Sequence, residues 1–179
     1  MREIDRIVDQ LQRAYDGDAW HGPSVRAALA GVTARQADAR LSPRVHTICE
    51  LVLHMTAWTR EISRRLQVGT AAEPEEGDWP EGAADDDEKR WGAILAALDA
   101  ANAQLVEAIR GENEGRLQEE IGDTREPALG SGVSRYVTLH GLIQHHVYHA
   151  GQISLLKRAL EAAAEHTQVV APDVRATSK

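Results

Sequence analysis

Residues 2–16 place Ile4, Ile7, Val8, Leu11 and Tyr15 at i, i+3, i+4, i+7 spacing before Gly17, the pattern of an amphipathic helix with one apolar face. Three further long stretches repeat the pattern. From Thr47 to about Gln67 the apolar face is Leu51, Met55, Trp58, Ile62 and Leu66. Thr47 and Glu50 form a capping box at its start, and Gly69 ends it. The next helix begins at Asp85, Asp86 and Asp87, whose charges suit a helix N-terminus. It runs to Gly111 with Trp91, Ile94, Leu95, Leu98, Leu105, Val106 and Ile109 inward. A fourth is predicted over about 133–164, with Val137, Leu142, Ile153, Leu156 and Leu160 inward. Between the first two, Ser24 caps a short helix through Ala30, and Thr33 with Gln36 makes another capping box.

The gaps carry the opposite signature. Residues 69–84 are rich in Gly, Pro and Glu and read as an exposed crossover; residues 111–131 are also irregular. Four apolar helices without a convincing strand predict an all-α four-helix bundle over residues 1–165. The polar remainder, 166–179, contains Pro172 and reads as a disordered tail.

Composition narrows the classes. With 28 acids against 20 bases the net charge is −8, which argues against nucleic acid or an anionic membrane as partner. No uninterrupted apolar run approaches the roughly 18 residues of a membrane span. The charged N-terminus shows no secretory signal and the single Cys49 forms no internal disulfide, so the cytoplasm is the expected compartment. Without Phe, the core must come from Leu, Ile, Val, Ala and four Trp.

The chemistry lies where polar residues interrupt apolar stripes. On the fourth helix the row Thr138, Leu142, His145, His149, Gln152, Leu156 puts two imidazoles one turn apart on the inward face. On the second, the row Leu51, His54, Trp58, Ile62 turns His54 inward as well. Imidazole nitrogen binds Zn, Ni, Cu and Fe, and three protein ligands leave a coordination position open. From spacing alone, a metal site and a trio of hydrogen-bonded core histidines stand level.

The strings Glu50-Leu51-Val52-Leu53-His54 and Gln144-His145-His146-Val147-Tyr148-His149-Ala150-Gly151-Gln152-Ile153 resemble those of the DinB-like (YfiT-type) metalloenzyme superfamily. The resemblance implies a bundle in up-down-down-up order, often a homodimer. It implies a divalent cation, nickel or zinc, on His54, His145 and His149. It further implies a low-molecular-weight thiol such as bacillithiol, mycothiol or glutathione as cosubstrate, and hence an S-transferase or thiol-dependent isomerase acting on a small electrophile. Relatives often carry an acid where this chain has His146. A metal-hydroxide hydrolase and a non-catalytic, stress-linked dimeric bundle, with a structural metal or none, are the competing readings.

Around that set, Trp58, Tyr148 and Gln152 are candidate pocket residues, Gln152 also as a hydrogen-bond partner one turn from His149. His146 is expected to face solvent or a neighbouring helix, and His46 the surface. Glu50 is assigned to the capping box rather than to orienting His54, and Cys49 to inert burial. Trp20 and His21 are read as pocket walls or packing at the bundle end. No acid/base pair, Ser/His/Asp set or phosphate loop accompanies them.

Overall fold

The computed structural model describes residues 1–82, 87–122 and 132–170, the last four without their side chains. Its elements are α1 (Glu3–Tyr15), α2 (Val25–Leu29), α3 (Ala34–Asp38), α4 (Ile48–Val68), α5 (Glu88–Arg110), a 3-10 turn (Glu114–Arg116) and α6 (Arg135–Val170). The all-helical class is as expected, and no strand occurs among the described residues.

The helix starts follow local chemistry. Ser24 Oγ accepts the Ala27 amide, while Thr33/Gln36 and Thr47/Glu50 close both arms of their capping boxes. Asp87 caps α5 by accepting the Lys89 amide at 2.8 Å; Asp85 and Asp86 lie outside the described residues. Gly69 stops α4 at φ 74°, a left-handed conformation that glycine adopts without steric cost, and its N–H bonds the Arg65 carbonyl.

Two apolar clusters fill the bundle. One joins Ile4, Ile7, Val8 and Leu11 of α1 to Ile62 and Leu66, Leu105 to Ile109, and Leu139 and Leu142. The other joins Tyr15 and the α2–α3 segment to Ile48–Met55, Trp91–Leu98 and Ala150–Leu156. The first halves of α1 and α6 thus share a cluster with the last halves of α4 and α5. Helix α5 has the length and mean hydropathy of a membrane span, but its apolar side is the core-facing row Trp91, Ile94, Leu98, Leu105 and Ile109.

Three expectations change. Val137 is 52% exposed: the largest fully buried side chains of α6 are Leu139, His146 and Ile153, seven apart, so the inward face is centred one residue along from the expected row. Helix α6 runs to Val170, past 164 and into the segment read as a tail; residues 171–179 lie outside the described residues. The irregular stretch after α5 supplies core, since Leu117 and Ile121 are buried and Arg135, also buried, binds Glu112 and the Leu66 carbonyl at 2.8 and 2.7 Å.

Candidate metal centre

His54 sits two turns into α4, a register set by the Thr47 cap, and His145 and His149 are successive turns of α6. Their Nε2 atoms converge: His54 to His145 is 2.9 Å and His145 to His149 is 3.0 Å. Metal–imidazole bonds of about 2.0–2.1 Å span up to about 4 Å between two ligands, so one cation can reach each pair. Among the described residues these three form the group whose ligand atoms cluster tightly enough to hold an ion.

Proton bookkeeping supports a cation. His54 Nδ1 lies 2.6 Å from the Asp78 carbonyl oxygen, an acceptor only, so Nδ1 carries the proton and Nε2 presents a lone pair. His149 Nδ1 donates likewise to Gln152 Oε1 at 2.6 Å. Two lone pairs therefore point at His145 Nε2, and a single imidazole proton cannot serve both. A divalent ion satisfies all three nitrogens, and His54 and His149 are oriented from behind as metal-ligating histidines usually are.

Burial keeps the ligands neutral. It lowers the pKa of His54 and His149 despite opposing help from Asp78 and Gln152 respectively. Burial, then the neighbouring imidazoles, pushes His145 down to about 3. All three are unprotonated near neutrality, as metal ligands must be.

Residues 83 and 84 lie outside the described residues; residues 69–82 do more than cross over. Successive turns of α4 bind them: Arg64 donates to the Thr70 carbonyl, Glu61 accepts the Ala72 amide while Arg65 donates to the Ala72 carbonyl, and Arg60 pairs with Glu76. Trp58 Nε1 then donates to Asp78 Oδ1 at 2.7 Å. This strap brings Trp79 to stack 4.0 Å above His54, with His46 stacked 3.6 Å on Trp79. Asp78 and Trp79 escaped the sequence reading; the one available signal was an aromatic residue beside Pro80 inside an otherwise Gly/Glu-rich loop.

The remaining candidates divide. Gln152 makes the bond to His149. Tyr148 is 64% exposed and packs edge-on to His149. Glu50 closes the capping box and also pairs with His46 and Arg40 instead of touching His54. Cys49 is buried, its thiol pushed up to about 11 by burial and Asp38. Trp20 is fully exposed, which overturns its packing role: the break holding it leaves the helices without burying the ring. His21 lines surface hollows beside α6 and not the imidazole cluster. His146 is wholly buried, facing α1 and α4 and not solvent: Thr59 Oγ1 lies 3.1 Å from its Nε2, and Tyr15 packs nearby.

The family model described as the DinB superfamily matches residues 9–153. A crystal structure of a conserved protein from Enterococcus faecalis is similar with a TM-score of 0.64 at 20% identity, over 88% of this chain and 96% of that one; at that identity the likeness speaks for the fold. No curated protein matches.

Proposed function

This chain belongs to the DinB superfamily, and from that membership and the three converging imidazoles we propose a divalent-metal-dependent enzyme that joins a low-molecular-weight thiol through its sulfur to a small electrophile, displacing the electrophile's leaving group, or isomerises a substrate through such a thiol. The observation that carries the reading is the pair of Nε2 lone pairs, fixed by the Asp78 carbonyl and Gln152, aimed at a third imidazole.

His54, His145 and His149 hold the cation, nickel or zinc. When bound, it lowers the pKa of a thiol or water at its open position. The chain does the rest. Gln152 and the Asp78 carbonyl keep the rings in one tautomer and orientation, and Trp79 covers one face of His54, keeping water off it. Beside His149 lies a hollow of about 420 Å³ whose lining among the described residues includes Arg44, His46, Tyr148 and Gln152 and no carboxylate. That lining suits the anionic groups of a cellular thiol. No acid or general base lines it other than histidine, which favours a nucleophile activated at the cation over base-catalysed hydrolysis.

The test compares the native protein before and after chelation, following conjugation of glutathione or bacillithiol to 1-chloro-2,4-dinitrobenzene and helicity by circular dichroism. Loss of conjugation with helicity retained is the expected outcome. Melting on chelation, with no thiol turnover in the loaded protein, makes the metal structural and ends the enzymatic reading.

A further inference from the structure

A second hollow borders the imidazole cluster on the side away from Arg44. It measures about 340 Å³ and is bounded by Trp58, Ile62, Val133, Val137, Leu142 and His145, within the size range of small-molecule sites. Along α6 it uses residues 137–145, whereas the hollow beside His149 uses residues 148–156. The histidines stand between the two.

Apart from His145, the polar groups on this second wall are already spent. Trp58 Nε1 donates to Asp78, and Thr138 Oγ1 to the Ser134 carbonyl at 3.0 Å. The one charge, Arg65, is buried against Glu61 at 2.9 Å and also bonds the Ala72 carbonyl. No carboxylate lines the space among the described residues. An ionic ligand would lose its hydration here without finding a counter-charge, which is costly, whereas an uncharged one buries apolar area against Ile62, Val133, Val137 and Leu142. Gly141 keeps the space open: it lies in mid-helix, where alanine is the better helix former, and a Cβ there would meet nothing within 4 Å.

We propose that this cleft, with His145 at its inner end, is the binding site for an uncharged, predominantly apolar small molecule, the electrophile of the reaction. The cleft assignment stands on its own lining; only the word electrophile rests on the metal-dependent reading above. The two cavities then divide the labour, charged thiol by His149 and neutral partner by His145.

The test uses three probes of similar size on the native protein: acetophenone, benzoate and benzylammonium. Binding is read by calorimetry and ligand-observed NMR, and metal content is measured separately by elemental analysis. Acetophenone is expected to bind at least tenfold tighter than either ion. Gly141→Leu, which fills the cleft, is expected to weaken acetophenone at least tenfold with metal content and helicity unchanged, and Val137→Asp is expected to weaken it in the same direction from an exposed position. Equal binding of the three probes, or acetophenone binding untouched by Gly141→Leu, overturns the proposal. So does a dimer by light scattering that Gly141→Leu converts to monomer while no probe binds, since the cleft then belongs to a second copy. Acetophenone binding lost in Gly141→Leu in a protein that takes up no metal upholds the cleft and removes the metal-dependent reading instead.

Discussion

At the residue scale, each of the three ligands is held by something different. His54 is fixed by a backbone carbonyl, His149 by a side-chain amide one turn on, and His145 by the other two rings, its own Nδ1 buried without a partner. Replacing His149 removes one nitrogen and frees Gln152 near a surface-facing hollow, so the bundle tolerates it. His149→Ala is expected to lose stoichiometric metal, by elemental analysis, while its helical circular dichroism stays that of the native protein; full occupancy in this variant would strike His149 from the ligand set. The i, i+4 pair and the inward row of α4 made the three imidazoles legible as inward-facing residues, while spacing alone left a metal site level with a hydrogen-bonded trio. His146 was half legible. Its neighbour helix was anticipated, but its complete burial follows from the inward face of α6 being centred on Leu139, His146 and Ile153, and a one-residue offset in a stripe that also contains Val137 and Thr138 is invisible until the partner helices are in place.

At the element scale, the long connection after α4 was legible as irregular and illegible as functional. Gly, Pro and Glu announce the absence of a helix, and nothing in their order reveals that Arg65, Arg64, Glu61, Arg60 and Trp58 tie the chain back along α4. Those ties are long-range geometry, a product of α4 presenting five bonding side chains between Trp58 and Arg65, over about two turns. The Glu61 carboxyl shows their strength: burial pushes its pKa up, yet bonds from Arg64, Arg65 and the Ala72 amide hold it below the ordinary carboxylate value. The strap's end stacks Trp79 on His54. Trp79→Ala removes that stack from a half-exposed position, so folding stability changes little. Metal affinity is expected to fall about tenfold, in line with losses of supporting contacts behind ligands, as read by competition with a chromophoric chelator. Unchanged affinity would show that the strap covers the site without shaping it.

At the scale of the whole molecule, the two apolar clusters are separated by a slab of polar groups at mid-height: His54 and Thr59 on α4, Asp99 and Asn102 on α5, His145, His146 and His149 on α6, with the Tyr15 hydroxyl donating to Asp99 at 2.5 Å. Such a slab carries a pH penalty, clearest at His146. Thr59 Oγ1 already donates to the Met55 carbonyl at 2.7 Å, so it accepts the His146 Nε2 proton, and the buried Nδ1 has no acceptor for a second proton. Burial, then His149, accordingly pushes the His146 pKa down to about 4 from an ordinary value of 6.5. Below pH 6.5 the unfolded chain binds a proton that the native state refuses until about pH 4. The unfolded state thus holds more protons throughout that window, and stability falls as the pH falls through it; above 6.5 this group contributes no slope. The displacement corresponds to about 3 kcal/mol at most, at about 1.4 kcal/mol per pH unit. In metal-free protein, urea unfolding between pH 7 and 4 is expected to show at least this loss, the other buried histidines adding to it. His146→Leu, similar in size and unable to take a proton, is expected to fold with a pH slope shallower by about one proton. An identical slope in the two proteins would mean that His146 is protonated in place, and that water reaches it through the packing of α1, α4 and α6.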